Sequence, residues 1–217
     1  MLKYLSNYNN KYSISFYYRK KRFKIFYDLL KEKSGCKILD VGGFENSLEI
    51  LDKGFCDNNE ITILNIENVE LLNKKFKFVL GDATDPGLFP EKSFDIIYCN
   101  SVIEHAGDSE QRKILSDNIR KWSHNYFVQT PNFYFPMEPH FLMPFFQFLP
   151  IKLRAYLLNR FNLGYFSKEK NYEDALKIVT SVRLLKKKEL LRIFPGAKIL
   201  KERFLFFTKS LIAHNFD

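Results

Sequence analysis

The sequence predicts an α/β protein: an open, mostly parallel sheet with helices on both faces. Between residues 36 and 130, short apolar runs alternate with helical stretches, the order that builds βαβ units. The length of 217 residues suits one domain, spanning residues 1–217 and carrying an insertion. Hydrophobic residues make up 46% and charged residues 27%, which excludes disorder, collagen and coiled coil for the chain as a whole.

The elements follow in order. Residues 1–35 are basic and aromatic, and Phe23, Phe26, Tyr27 and Leu30 fall at i, i+3, i+4 and i+7, one apolar face of a helix. The run Arg19-Lys20-Lys21-Arg22 beside that face reads as a solvated surface or a phosphate contact. Strands are expected at 37–41 (KILDV), 61–66 (ITILNI), 76–80 (FKFVL), 94–99 (FDIIYC) and 126–130 (YFVQT), with helices at 45–53, 69–74 and 109–122. The alternation stops after Pro131. Residues 131–171 are rich in Pro and Phe and read as a lid-like insertion after the fifth strand, helical over 151–161 and kept out of sheet by its prolines. Residues 184–194 form an amphipathic helix. Two final strands at 197–206 and 208–214 have so short a connection that an antiparallel pair is expected.

Lys and Arg outnumber Asp and Glu by 34 to 25, a net charge of +9, which favours an anionic partner without choosing one. Cys36, Cys56 and Cys99 show no metal or disulfide spacing. The start of the chain has no apolar core of signal-peptide type. The longest uncharged apolar stretch, Pro139–Ile151, is too short and proline-broken to span a bilayer. A cytoplasmic protein with reduced thiols is the expectation.

Four successive strands end in groups suited to hold a ligand. The first runs from Asp40 into Gly42-Gly43 and then a helix, a turn that brings backbone N–H groups and a helix N-terminus to a ligand. The second ends in Asn65 and Glu67, the third in Gly81-Asp82-Ala83, and the fourth in Asn100-Ser101, with Glu104 and His105 just beyond. In an open α/β sheet these tips share one edge, where ligands bind.

These segments resemble the class I S-adenosylmethionine (SAM)-dependent methyltransferases, in particular the type 11 methyltransferase domain. LDVGG at 39–43 is similar to the family's first motif, GDATD at 81–85 to its adenine-side motif and SFDIIYCNSVIEH at 93–105 to its fourth-strand motif. The resemblance covers residues 36–130 and returns at 190–214. TPNFYFPMEPHF at 130–141 is similar to a segment of methyltransferases from bacterial surface-polysaccharide gene sets. The resemblance implies a Rossmann-like seven-stranded sheet with an antiparallel last strand. It also implies SAM as cofactor and a small-molecule or glycan acceptor, preferably a sugar hydroxyl. Asp40, Gly42 and Gly43 would shape the methionine end of the pocket. Asn65 or Glu67 would meet the ribose, Asp82 and the Ala83 N–H the adenine, and Asn100 and Ser101 the floor beside the sulfonium. The family's Gly-x-Gly-x-Gly turn is here Gly42-Gly43-Phe44-Glu45-Asn46, in which Asn46 would stand in for one glycine.

Methyl transfer asks the protein for alignment, water exclusion and, for a hydroxyl acceptor, a base. His105 and His140 are the candidates, with Glu104 and Glu138 orienting them or acting directly. Those four residues lack the spacing of a metal motif, so no metal is expected. The Phe-rich insertion, with Lys152, Arg154 and Arg160 nearby, would cover the acceptor, and it would also suit an anionic membrane surface. A quinone or lipid-linked acceptor and a non-catalytic SAM-binding scaffold are the alternatives. A nucleic-acid substrate is not expected, because the fourth strand lacks the Asn-Pro-Pro-aromatic motif.

Overall fold

The computed structural model describes residues 10, 12–30, 34–44, 53–71 and 75–217. Its elements are α1 (Ile14–Leu29), β1 (Lys37–Val41), α2 (Lys53–Asp57), β2 (Glu60–Asn65), β3 (Lys77–Leu80), β4 (Phe94–Asn100), α3 (Ser109–Trp122) and β5 (Ser123–Pro131). The insertion adds a two-residue hairpin, β6 (Met137–Glu138) and β7 (Met143–Pro144), then α4 (Ile151–Arg160) and α5 (Tyr172–Ser181). α6 (Lys187–Ile193), β8 (Lys198–Phe204) and β9 (Phe207–His214) complete the chain.

Seven strands form one sheet in the order β3-β2-β1-β4-β5-β9-β8. β1 to β5 pair in parallel, and β9 runs antiparallel to both β5 and β8. The chain leaves β1 toward β2 on one side and returns to β4 on the other. The strand order therefore reverses between β1 and β4, where a crevice opens at the carboxyl ends.

Strand alternation divides the core between the two faces. Leu39, Val41, Ile97, Cys99 and Val128 point to the face covered by α3 and α6, around the fully buried Trp122. Ile38, Ile63, Ile96, Tyr98 and Phe127 point to the other face, where Phe23 and Phe26 of α1 pack with Leu30 just beyond it. The Phe26 ring lies 4.9 Å from Tyr98 and 5.4 Å from Phe127. Burying so many aromatic and branched side chains stabilises the sheet by about 1.5–3 kcal/mol each before chain entropy is charged. Ser13 caps α1 and Asp108 caps α3, each accepting backbone N–H bonds from the first turn.

The insertion has an apolar core of its own, made by Phe141, Phe146, Ala155, Leu158, Ala175 and Val179. It reaches further than residue 171. Asn171 caps α5, with Glu173 and Asp174 in the first turn, a helix-start signal that the Phe-rich composition masks. Prolines do not exclude pairing here, since Pro144 lies in β7. The helix expected at 69–74 is not formed over Val69–Leu71, and 72–74 lie outside the described residues. So does the helix expected at 45–53, apart from Lys53, which begins α2. α6 is shorter than the expected 184–194, because Leu184 and Leu185 are buried and Leu185 bridges to Asn132. α1 also departs from expectation: Arg22, read as solvated or phosphate-facing, is buried, while Tyr27 of the apolar stripe is 40% exposed.

Candidate active site

Asp40, next to last in β1, is almost fully buried, and its carboxylate packs against Gly43 so closely that a Cβ there would strike it. Gly42 adopts φ +70°, and a Cβ at that position would strike the Val102 side chain. Both glycines are thus required by the close approach of neighbouring groups, and Gly42 also by its left-handed backbone. The turn is held to β2 by the Gly42 N–H donating to the Leu64 carbonyl at 2.8 Å. Phe44 is half exposed and is not among the residues with positive φ. Asn46 lies outside the described residues.

Asn65 is buried at the end of β2. Its Nδ2 donates to the Gly43 carbonyl at 3.0 Å and its Oδ1 accepts the Glu67 N–H at 3.1 Å. Asn65 therefore braces the glycine turn, while Glu67 presents an exposed carboxylate two residues on. After β3, Asp82 is exposed, with Oδ1 accepting from the Thr84 N–H at 2.9 Å. Ala83 is buried and its carbonyl accepts from Asn118 of α3. At the tip of β4, Ser101 takes φ +57° and is tied to Gln129 of β5 twice, through its N–H and its hydroxyl. The tips of β3, β2, β1 and β4 are successive neighbours, so these groups line one edge about 14 Å long.

Asn100 brings in a residue the sequence did not suggest for the site. Arg22 of α1 donates through Nη1 to Asn100 Oδ1 and through Nη2 to Glu202 of β8 at 2.8 Å. Glu202 is buried, also accepts from Ser210, and is 3.5 Å from Lys209. This network clamps α1 across the end of the sheet and fixes the Asn100 amide. The one sequence signal was spacing: Arg22 lies four residues before Phe26 and so on the same helix face.

A second cluster forms where the insertion meets the tip of β4. The 3₁₀ turn Ile103–His105 carries Glu104 and His105. Glu104 is fully buried and its Oε2 accepts from Thr130 of β5 at 2.9 Å. His140 comes from the insertion, and its ring meets that of His105 edge to face at 4.9 Å. Glu138 holds His140 in place. Its Oε2 accepts the N–H groups of His140 and Phe141, and its Oε1 lies 2.8 Å from His140 Nδ1. From behind, Gly164 at φ +55° passes against the backbone of His140 and Phe141, where no Cβ would fit.

The electrostatics differ across the cluster. Burial pushes the Glu104 carboxyl above its usual range, against the pull of His140. Burial of its imidazole and the neighbouring His140 lower His105 to about 4, against the pull of Glu138, so it is neutral near pH 7, although the residue as a whole still reaches solvent. Burial alone would lower His140 too, but the hydrogen bond and charge of Glu138, with Glu104, raise it.

Beside Glu138 a cavity of about 350 Å³ opens between the insertion and α3, with Phe133, Phe141, Phe146 and Gln147 in its lining. Arg112, Arg154 and Arg183 also border it. Burial and repulsion by Arg183 both weaken proton binding at Arg112, and Arg154 Nε is buried with no hydrogen-bond partner.

The structure thus brings Asp40, Gly42, Gly43, Asn65, Glu67, Asp82, Ala83, Asn100 and Ser101 to one sheet edge, and Glu104, His105 and His140 into one cluster beside it. The profile of the type 11 methyltransferase domain matches residues 42–121. Solved methyltransferases share the architecture. The magnesium protoporphyrin IX methyltransferase of Synechocystis, solved with bound S-adenosylhomocysteine, is 13% identical at a TM-score of 0.54, covering 93% of this chain and 84% of that one. This chain has the class I methyltransferase fold.

The N-methyltransferase NodS of Bradyrhizobium japonicum superposes on this methyltransferase fold at a TM-score of 0.53 with 8% identity, covering 93% of this chain and 96% of that one. The 1,6-didemethyltoxoflavin-N1-methyltransferase of Burkholderia thailandensis gives 0.54 with 11% identity, covering 90% and 76%. The chain spans only 64% of another relative in fold, from an antibiotic biosynthesis pathway of Anabaena variabilis, which is 11% identical at a TM-score of 0.53 with 84% of this chain covered. No curated protein matches the sequence. Among the described residues, no helix is long and apolar enough to cross a membrane.

Proposed function

We propose that the chain is a SAM-dependent methyltransferase acting on a hydroxyl of a small-molecule or glycan acceptor, with a surface-polysaccharide sugar as the preferred class. The observation that carries this reading is the coincidence of the methyltransferase-domain match over 42–121 with the glycine turn at the β1–β4 crevice. The residues present fit the cofactor: a turn that excludes side chains, a polar strand edge and an exposed Asp82. Asp40, Gly42 and Gly43 would border its methionine end. Glu67 would reach the ribose, with Asn65 bracing the turn, and Asp82 and Ala83 would meet the adenine. Bound there, it supplies an activated methyl on a sulfonium.

The rest is alignment and proton management by this chain. Asn100, fixed by Arg22, and Ser101, fixed by Gln129, form the floor of the crevice. The Glu104–His105–His140 cluster faces the acceptor side and would take charge of the hydroxyl proton, with neutral His105 as the exposed candidate base and Glu138 as a positioning residue for His140. The cavity lining suits a sugar ring, through its aromatic side chains, and an anionic substituent, through its three arginines. The test is S-adenosylhomocysteine formation from SAM with nucleotide-sugar and glycan-fragment acceptors. His105→Ala should cut turnover at least 100-fold while SAM affinity stays within twofold. Normal turnover in that variant would remove His105 from the role.

A second reading, a quinone or lipid-linked acceptor, is favoured by the exposed Phe145, Phe148, Ile151 and Leu153 on the insertion. It predicts that the protein sediments with anionic vesicles and that Phe148→Ser releases it. The third, a non-catalytic SAM-binding scaffold, predicts SAM binding without turnover for every acceptor tried.

A further inference from the structure

The cluster beneath the insertion is arranged for more than proton transfer. Glu104, His105 and His140 each offer one ligand atom, and these atoms lie within 4.8 Å of one another. Glu104 is fully buried, with Oε2 bonded to Thr130, yet its Oε1 is also buried and has no hydrogen-bond partner. A buried carboxylate oxygen left unpaired is costly, and a cation would satisfy it. His140 Nδ1 is engaged by Glu138 at 2.8 Å, leaving Nε2 as the ring's remaining donor atom. A carboxylate behind a histidine is the arrangement that fixes tautomer and ring orientation in metal sites.

We propose that Glu104, His105 and His140 bind one divalent transition-metal ion. Two imidazoles and one carboxylate suit zinc, manganese, iron or cobalt better than calcium or magnesium, whose preferred ligands are all oxygen. Three protein ligands, with His105 partly open to solvent, leave coordination positions for a small molecule. Ligand atoms around such an ion lie roughly 3–3.5 Å apart, so rotation of the exposed His105 side chain would close the set. Spacing argued against a metal because the ligands come from segments 35 residues apart, joined only by the folding of the insertion beside β4.

The consequence for catalysis rests on the methyltransferase reading. An acceptor hydroxyl on an open position of the ion would lose its proton to solvent near neutral pH. The oxygen lone pair would then form the O–CH3 bond as the CH3–S bond breaks, and that bonding pair would stay on sulfur as a neutral thioether. His105 and His140 would serve as ligands, and the ion would take over the task of the base.

The experiment needs no methyl donor. The chelator-treated full chain is titrated with Co²⁺, followed by its visible absorption, and with Zn²⁺ in a calorimeter. One equivalent should bind. His105→Ala and His140→Ala should each weaken binding by more than tenfold, and Glu138→Gln by about tenfold. The His105 substitution lies on the exposed side of the cluster, so it tests the site even where a buried variant fails to fold. Absence of saturable binding by the wild-type chain, or binding untouched by both histidine variants, overturns the proposal. Failure to bind SAM would count against the methyltransferase reading and leave this result standing.

Discussion

The carboxyl edge of the sheet and the insertion beside it place their polar groups by different means. At the edge, the backbone does most of the positioning: parallel register aligns the ends of β2, β1 and β4, and Gly42 and Gly43 admit Val102 and Asp40 where any side chain would collide. In the insertion, side chains do it: Glu138 gathers two backbone N–H groups and one imidazole, and a separate small core that includes Phe141 supports that turn. The edge is therefore set by the fold itself, whereas the insertion can change its lining without disturbing the sheet. On the proposed reading, this division would suit a donor site at the edge and an acceptor site under the insertion.

The largest expected effect lies outside the insertion, where α1 is fastened to Asn100 of the edge and to Glu202 of β8. Arg22→Ala would leave Glu202 buried with its nearest cationic partner gone and only Lys209, at 3.5 Å, to oppose its charge, and we expect a loss of about 3–5 kcal/mol in urea unfolding. A loss below about 1 kcal/mol would mean that the α1 clamp is incidental. Next comes the edge. Gly43→Ala should displace the Asp40 carboxylate and weaken SAM binding at least tenfold by calorimetry, leaving metal binding at the Glu104 cluster unchanged. A smaller effect is expected in the insertion. Arg154→Gln should raise KM for an anionic acceptor severalfold, with kcat and SAM affinity unchanged. Equal loss in all three would blur the division.

The smallest effect concerns Lys209. Burial, with Arg22, lowers its pKa from 10.5 to about 8 against the attraction of Glu202. Between those pH values the unfolded chain keeps a proton that the folded chain has released, so this residue's contribution to stability rises with pH across that window. Lys209→Met should flatten the rise in the urea midpoint from pH 8 to 10. An unchanged slope would show that Lys209 titrates normally in the folded state.

What the sequence revealed follows the same division. Strands β1 to β5 were legible because parallel strands read as short apolar runs, here ended by Gly, Asn or Pro. The polar tips were legible because they sit next to those runs. Arg22 was not, since one arginine in a basic run looks like any surface cation until Asn100 and Glu202 are placed beside it. The role of Asn65 as a brace was equally hidden, because it depends on the Gly43 carbonyl, whose position only the tertiary structure sets; Glu138, read as a residue that orients a histidine, does hold His140. The contact of His105 with His140 depends on a small core of phenylalanines and alanines whose spacing carries no clear period. α5 was missed for the opposite reason: its cap signal at Asn171 was present, but it lay inside a segment that composition marked as irregular.

On the proposed reading, the strand tips hold SAM independently of the insertion. Calorimetric titration of SAM into the wild-type chain, Asp82→Ala and His140→Ala tests it most directly. We expect one site per chain, weakened about tenfold or more by Asp82→Ala at unchanged unfolding temperature, and unaffected by His140→Ala. No heat and no thermal stabilisation with the wild-type chain, or affinity indifferent to Asp82, would contradict it.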